Sequence, residues 1–138
     1  MKPSLFLRVA ALAVILSGCA PPPPQQADVP QGSAAFAGTV SRVIDGDTFA
    51  LQGESRRIRV WGLDAPEWNR PGGSDATAAM RQLVSGRRLH CNQRDIDRYD
   101  RIAAQCFLPD GRDIAAVMIW AGVATEYCRY SRGYYGTC

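Results

Sequence analysis

Two short acidic stretches hold the residues best suited to chemistry. In VIDGDTF, residues 43–49, Asp45 and Asp47 flank Gly46 between β-branched and aromatic neighbours. In IRVWGLDAPE, residues 58–67, Asp64 and Glu67 bracket Ala65 and Pro66. Pro66 fixes its own φ and restricts Ala65, so the second pair of carboxylates sits on a stiff corner. Asp-Gly is in itself a turn signal, and Asp45 is read as a turn residue. Asp47 together with Asp64 offers two hard oxygen donors that suit a divalent cation such as Ca²⁺, with a backbone carbonyl and waters completing the shell. Glu67 then stands beside that shell, where a carboxylate orients or deprotonates water. Arg59, five residues before Asp64, and Arg101, directly after the DRYD turn, add two guanidiniums. A guanidinium stays protonated and its planar fork holds two phosphate oxygens at once. Carboxylates for a cation and a water, facing arginines that stabilise developing negative charge, meet the needs of phosphodiester hydrolysis.

Strand signals surround both stretches. FAGTVSRVI and TFAL, rich in β-branched and aromatic residues, read as a hairpin around the Asp-Gly-Asp turn. RRIRVWGL alternates, with Ile58, Val60 and Gly62 on one face and Arg57, Arg59, Trp61 and Leu63 on the other. Ala76, Ala79, Met80, Leu83 and Val84 recur at helical spacing and predict a helix over 75–85, stopped at Gly86. RLHCNQRD and RIAAQCFL read as a second hairpin around IDRYD. Centred between Arg98 and Tyr99, that hairpin sets Cys91 opposite Cys106, within reach of a disulfide. Ile114, Val117, Met118 and Ala121 mark a second helix, with Asp113 as N-cap and Gly122 as stop. Three strands, a helix, two strands and a helix predict an α+β fold: a small closed five-stranded barrel of the OB type with two helices, spanning residues 36–138.

The chain of 138 residues has more than this domain needs. Lys2 and Arg8 flank MKPSLFLR, and the apolar run VAALAVIL leads into LSGC, the pattern of an export signal over residues 1–18. The run is too short to span a bilayer, which takes roughly 20 residues. LSGC also resembles the lipobox of bacterial lipoproteins, which makes Cys19 a lipidation site and the anchor of a protein facing the periplasm or the cell surface. The Pro-rich segment 19–35 reads as a semi-rigid tether. Of the five cysteines, lipid on Cys19 leaves four. Cys128 pairs with Cys138 by elimination, although four cysteines allow three connectivities. Beyond Cys19 the chain carries 14 arginines against 13 acids, a net charge of +1. Anion binding must therefore come from placed arginines and not from a general basic field. His90 is the single histidine, which excludes chemistry built on a histidine pair. Oxidised cysteines exclude a thiol nucleophile.

VIDGDTF, IRVWGLDAPE, DRYDR and DGRDIAAVMIWAGVATEY, in this order and spacing, resemble the staphylococcal nuclease (thermonuclease) family over about residues 38–130. The resemblance implies an OB-fold and calcium-dependent endonucleolytic cleavage of DNA and RNA at the 5′-oxygen, leaving 3′-phosphates. Single-stranded substrate is favoured, and the protein is a monomer. The family pattern makes Asp47 and Asp64 calcium ligands, with the Ala65 carbonyl beside them, and Arg59, Glu67 and Arg101 the catalytic residues. Tyr99, and more approximately Tyr127 and Tyr130, fall at nucleotide-contacting positions. Three departures stand out. Asp100 replaces the glycine usual before the second catalytic arginine, and is expected to pair with Arg101. Ala115 stands where the second helix usually has an asparagine. The family's third helix is absent, with a Cys128–Cys138 bridge closing that end. The rival readings are a non-catalytic OB-fold module that binds nucleic acid and an envelope-associated lipoprotein.

Overall fold

The computed structural model describes residues 34–138. The signal assigned to residues 1–18, Cys19 and nearly all of the 19–35 tether lie outside the described residues. Strand β1, Ala35–Val43, pairs antiparallel with β2, Thr48–Leu51, around the acidic turn, so that Val43 faces Phe49. A register shift between Val40 and Arg42 lets both Val40 and Val43 point into the core. Strand β3, Ile58–Val60, continues the meander with Ile58 and Val60 buried and Arg59 facing out. The alternation expected to run through residue 63 stops at Gly62. A φ of 73° there turns the chain, and Leu63 is buried and not on the Arg59 face. Leu63 opens the short strand β4, Leu63–Asp64.

Helix α1, Gly73–Val84, starts two residues earlier than its apolar spacing suggests and buries Ala76, Met80 and Val84. Strands β5, Arg88–Ile96, and β6, Ile102–Phe107, form the second hairpin. Its register places Cys91 opposite Cys106, and the two are joined by a disulfide. β6 runs parallel to β3, with Arg59 beside Ala103, while β5 returns antiparallel to β1. The barrel is thus closed in the order β1-β2-β3-β6-β5, the topology expected for the OB type. Phe49, Ile58, Val60, Leu89 and Leu108 fill it, with Met80 of α1 packed against them.

Helix α2, Ile114–Trp120, is capped as its sequence predicts. Asp113 accepts hydrogen bonds from the backbone N–H groups of Ala115 (2.8 Å) and Ala116 (3.3 Å). Strand β7, Thr125–Glu126, pairs with β4 and ties the C-terminal segment to the corner after β3. A one-turn helix α3, Cys128–Ser131, adds a short third helix to the two expected. The Cys128–Cys138 bridge closes the segment that follows.

Candidate active site

The acidic hairpin and the proline corner meet. Gly46 makes this possible: a Cβ on it would come within 2.7 Å of the Cβ atoms of both Ala65 and Ala76. Only a residue without a side chain lets the turn lie against the corner and α1 at once. Asp45 has the turn role given to it, its Oδ1 accepting from the Asp47 N–H at 3.0 Å. Asp47 is buried and directed at the corner. Its Oδ2 accepts from the Ala65 N–H at 3.2 Å, and its Oδ1 accepts from the Thr48 hydroxyl at 2.9 Å. The Ala65 backbone therefore joins the two acidic stretches.

Arg59 lies between the carboxylates. Its Nη1 is 3.2 Å from Asp47 Oδ2, and its Nη2 is 3.9 Å from Asp64 Oδ1. Nη1 also donates to the carbonyls of Leu63 (2.6 Å) and Val60 (3.2 Å), which fixes the head of the side chain. Asp64 remains largely open to solvent, whereas Asp47 is closed in. Burial pushes the Asp47 carboxyl up to about 6; Arg59 pulls it down and Asp45 adds to the rise. This buried acid is short of compensating positive charge.

That deficit and the donor chemistry fit a hard divalent cation. Asp47 and Asp64 both lie against Arg59, and no group of three or more Asp, Glu, His or Cys side chains suited to a metal gathers here or elsewhere among the described residues. An ion there would draw most of its shell from backbone carbonyls and water.

Arg101 and Glu67 line a cleft in which Asp47, Arg59 and Asp64 are not among the lining residues. Arg56, Arg57, Tyr99 and Asp100 also border this open cleft of about 680 Å³. Asp97 positions Arg101: its Oδ2 accepts from Nε at 2.7 Å, while its Oδ1 accepts from the backbone N–H groups of Tyr99 (2.9 Å) and Arg101 (3.0 Å). Burial opposes ionisation of Asp97, but these bonds outweigh it and hold the carboxyl below the usual range. The spacing of Asp97 four residues ahead of Arg101 on a hairpin was the only sequence signal for this support. The expected pairing of Asp100 with Arg101 is not what forms. Asp100 bonds to Arg56 Nε at 2.8 Å, across the cleft mouth. Its φ of 57° is the left-handed conformation that glycine adopts without strain.

The structure brings Tyr99 to the cleft, exposed beside Arg101 with the guanidinium carbon 5.3 Å from its ring centroid. Tyr127 and Tyr130 pack edge to face at 4.8 Å and are not among the residues that line the cleft. Sequence reasoning gave no role to Glu126. Buried, it accepts from the Ser131 hydroxyl (2.5 Å), from the backbone N–H groups of Tyr135 (3.0 Å) and Thr137 (2.8 Å), and from the Thr137 hydroxyl (2.9 Å). One carboxylate so holds the whole disulfide-closed loop against β4. Burial works against its ionisation, yet these four donors take it down to about 2.

The chain is similar in sequence to known proteins. The sequence profile described as "Staphylococcal nuclease homologue" matches residues 57–136. An "Uncharacterized endonuclease" of Escherichia coli is 38% identical over 100 residues, which cover 71% of this chain and 65% of that protein. The chain therefore spans a little under two thirds of that relative. A "Micrococcal nuclease" of Shigella flexneri is 30% identical over 143 residues, covering 96% of this chain and 76% of the relative. The "Succinoglycan biosynthesis protein ExoI" of Rhizobium meliloti is 33% identical over 106 residues, covering 69% of this chain and 54% of the relative.

Proposed function

Because the chain belongs to the staphylococcal nuclease homologue family, we propose that it is a calcium-dependent endonuclease of DNA and RNA that leaves 3′-phosphates. The observation that carries this reading is the single guanidinium of Arg59 held between Asp47 and Asp64, at 3.2 and 3.9 Å, one strand away from the Arg101 and Glu67 cleft. β3 and β6 are parallel neighbours with Arg59 beside Ala103. Arg101 is thus only two residues, about 7 Å, from the level of Arg59.

Each side chain has a distinct task in this reaction. Asp47, Asp64 and the Ala65 carbonyl would hold Ca²⁺, which when bound offsets charge on the phosphate oxygens. Glu67 is exposed on the cleft, where it accepts the proton of the attacking water. Water oxygen forms the new bond to phosphorus, the bond from phosphorus to the 5′-oxygen breaks, and that oxygen takes a proton from solvent water to leave as a 5′-hydroxyl. Arg101 is gripped by Asp97 through Nε alone, which leaves its Nη groups for the equatorial phosphate oxygens. Arg59 Nη2, at 3.9 Å from Asp64, is held loosely enough to serve the same oxygens. Tyr99 stands where a nucleoside ring can stack. Export, with a lipid anchor on Cys19 and residues 36–138 acting as a monomeric domain on a short tether, completes the proposal. It rests on the LSGC pattern and the Pro-rich segment.

The test is cleavage of end-labelled single-stranded DNA by the purified protein across a calcium titration and in excess chelator. Calcium-dependent fragments ending in 3′-phosphate are expected. DNA bound but left intact under both conditions would overturn the reading in favour of a non-catalytic OB-fold module.

A further inference from the structure

The outer face of β3 continues past Arg59 to Trp61, whose backbone N–H extends the ladder by donating to the Ala104 carbonyl at 2.8 Å. Two residues of strand place Trp61 about 7 Å from Arg59 on the same face. Trp61 is not alone. The Tyr134 ring meets it edge-on at 5.5 Å, and Tyr135 lies behind both, 6.1 Å from Trp61 and 5.0 Å from Tyr134. Tyr135 is fixed from below by its hydroxyl, which donates to Asp113 Oδ2 at 3.1 Å. Tyr134 makes no such bond and is half exposed. The Arg94 guanidinium sits 4.9 Å over the Trp61 ring. Nη2 of Arg94 donates to Gln105, its Nε finds no acceptor, and it forms no ion pair among the described residues.

We propose that Trp61, Tyr134 and Arg94 form a second nucleotide subsite, in which a base of single-stranded nucleic acid stacks on the exposed Tyr134 ring against the edge of Trp61, and Arg94, held over the Trp61 face, meets the neighbouring phosphate. The inference rests on the nucleic-acid reading above and extends it outward along the same strand. An exposed ring backed by packed aromatics, with an unpaired guanidinium beside it, suits stacking that tolerates any base. The Cys128–Cys138 bridge and the Glu126 bonds hold Tyr134 at this position in an otherwise short loop.

Trp61 reports on its own subsite. Changing the exposed Trp68 and Trp120 to Phe leaves it as the only tryptophan of three. A ten-nucleotide single-stranded DNA is then titrated in excess chelator, following Trp61 emission and the anisotropy of a dye on the DNA. Emission should quench with the same midpoint as anisotropy. Tyr134→Ala should weaken binding about 10-fold, and Tyr134→Phe should retain it. Arg94→Gln should lower the slope of log affinity against log salt by about 1, which a purely structural role would not do. Bound DNA with unchanged Trp61 emission, or equal affinity in Tyr134→Ala, overturns the subsite. Quenching without any cleavage when calcium is restored supports the subsite while removing the nuclease reading. Absence of both binding and cleavage removes both.

Discussion

Arg59 donates to the carbonyls of Leu63 and Val60 as well as to Asp47, so its loss is felt by the fold and not only by a substrate. Arg59→Ala leaves Asp47 buried without its counter-charge, which costs about 3 kcal/mol or more. Removing one donor to a developing oxyanion should also cut turnover about 10²–10³-fold. Glu67 is exposed on the cleft and carries no such burden. Glu67→Gln should reduce turnover about 10²–10⁴-fold while leaving the denaturant midpoint unchanged. Denaturation curves run beside initial rates separate the two cases; full activity in either variant removes its assigned role. Arg101 poses a related question, because two acids flank its turn. Asp97 holds Nε at 2.7 Å, whereas Asp100 is engaged with Arg56. Asp97→Asn should therefore lower kcat/KM more than Asp100→Gly does. The Asp100 change trades a left-handed strain of about 1 kcal/mol against an exposed ion pair of about 0–1 kcal/mol, so little stability is expected to change. A larger loss of kcat/KM in Asp100→Gly would reverse this assignment.

The elements matter through their points of closest approach. Gly46 fits the hairpin between Ala65 and Ala76, where an added Cβ would lie 2.7 Å from each. Gly46→Ala must push β1 and β2 away from the corner, at about 1–3 kcal/mol. Because Asp47 moves relative to Asp64, the calcium concentration for half-maximal cleavage should rise as well, as a calcium titration of the variant would reveal. Across β4, opposite Leu63, Glu126 organises the closed C-terminal loop. Its carboxyl titrates at about 2 in the folded chain, below the ordinary 4.5. A depressed folded value means that the unfolded chain takes up the proton first as pH falls. The stabilisation by Glu126 is thus complete above pH 4.5 and is lost as pH falls through 2. Thermal melts from pH 6 to pH 2 should be steeper in the native chain than in Glu126→Gln, which is less stable at pH 6 but flatter below 4.5. Parallel curves would mean that Glu126 gains nothing from its four donors.

At the scale of the molecule, much of the barrel could be read from local chemistry. Asp-Gly at residues 45–46 announced one hairpin, and the symmetry of Cys91 and Cys106 about a turn announced the other with its disulfide. The pairing of β4 with β7 and the turn at Gly62 were not legible, since two-residue strands have no periodicity of their own. The contact of Asp47, Arg59 and Asp64 with the corner followed from the two acidic stretches, whereas Arg101 and Glu67 line a cleft that those three do not. The Asp100 partner was not legible, because a side chain on a turn chooses among neighbours that only the folded barrel brings close. Net charge bears on the last question, by what means the proposed membrane attachment would be made. With 14 arginines against 13 acids beyond residue 19, the chain has almost no excess charge. Polybasic adhesion to anionic lipid, worth about 1 kcal/mol per basic residue, is therefore not a credible anchor. If the LSGC pattern is used, attachment depends on acyl chains at Cys19, and buried CH₂ groups at about 0.8 kcal/mol each are insensitive to salt. The native chain should then stay in the membrane fraction through a high-salt wash and incorporate labelled fatty acid. Cys19→Ser should take up no label and appear in the soluble fraction. Membrane retention of Cys19→Ser through the same wash would show that something other than this thiol holds the protein in place.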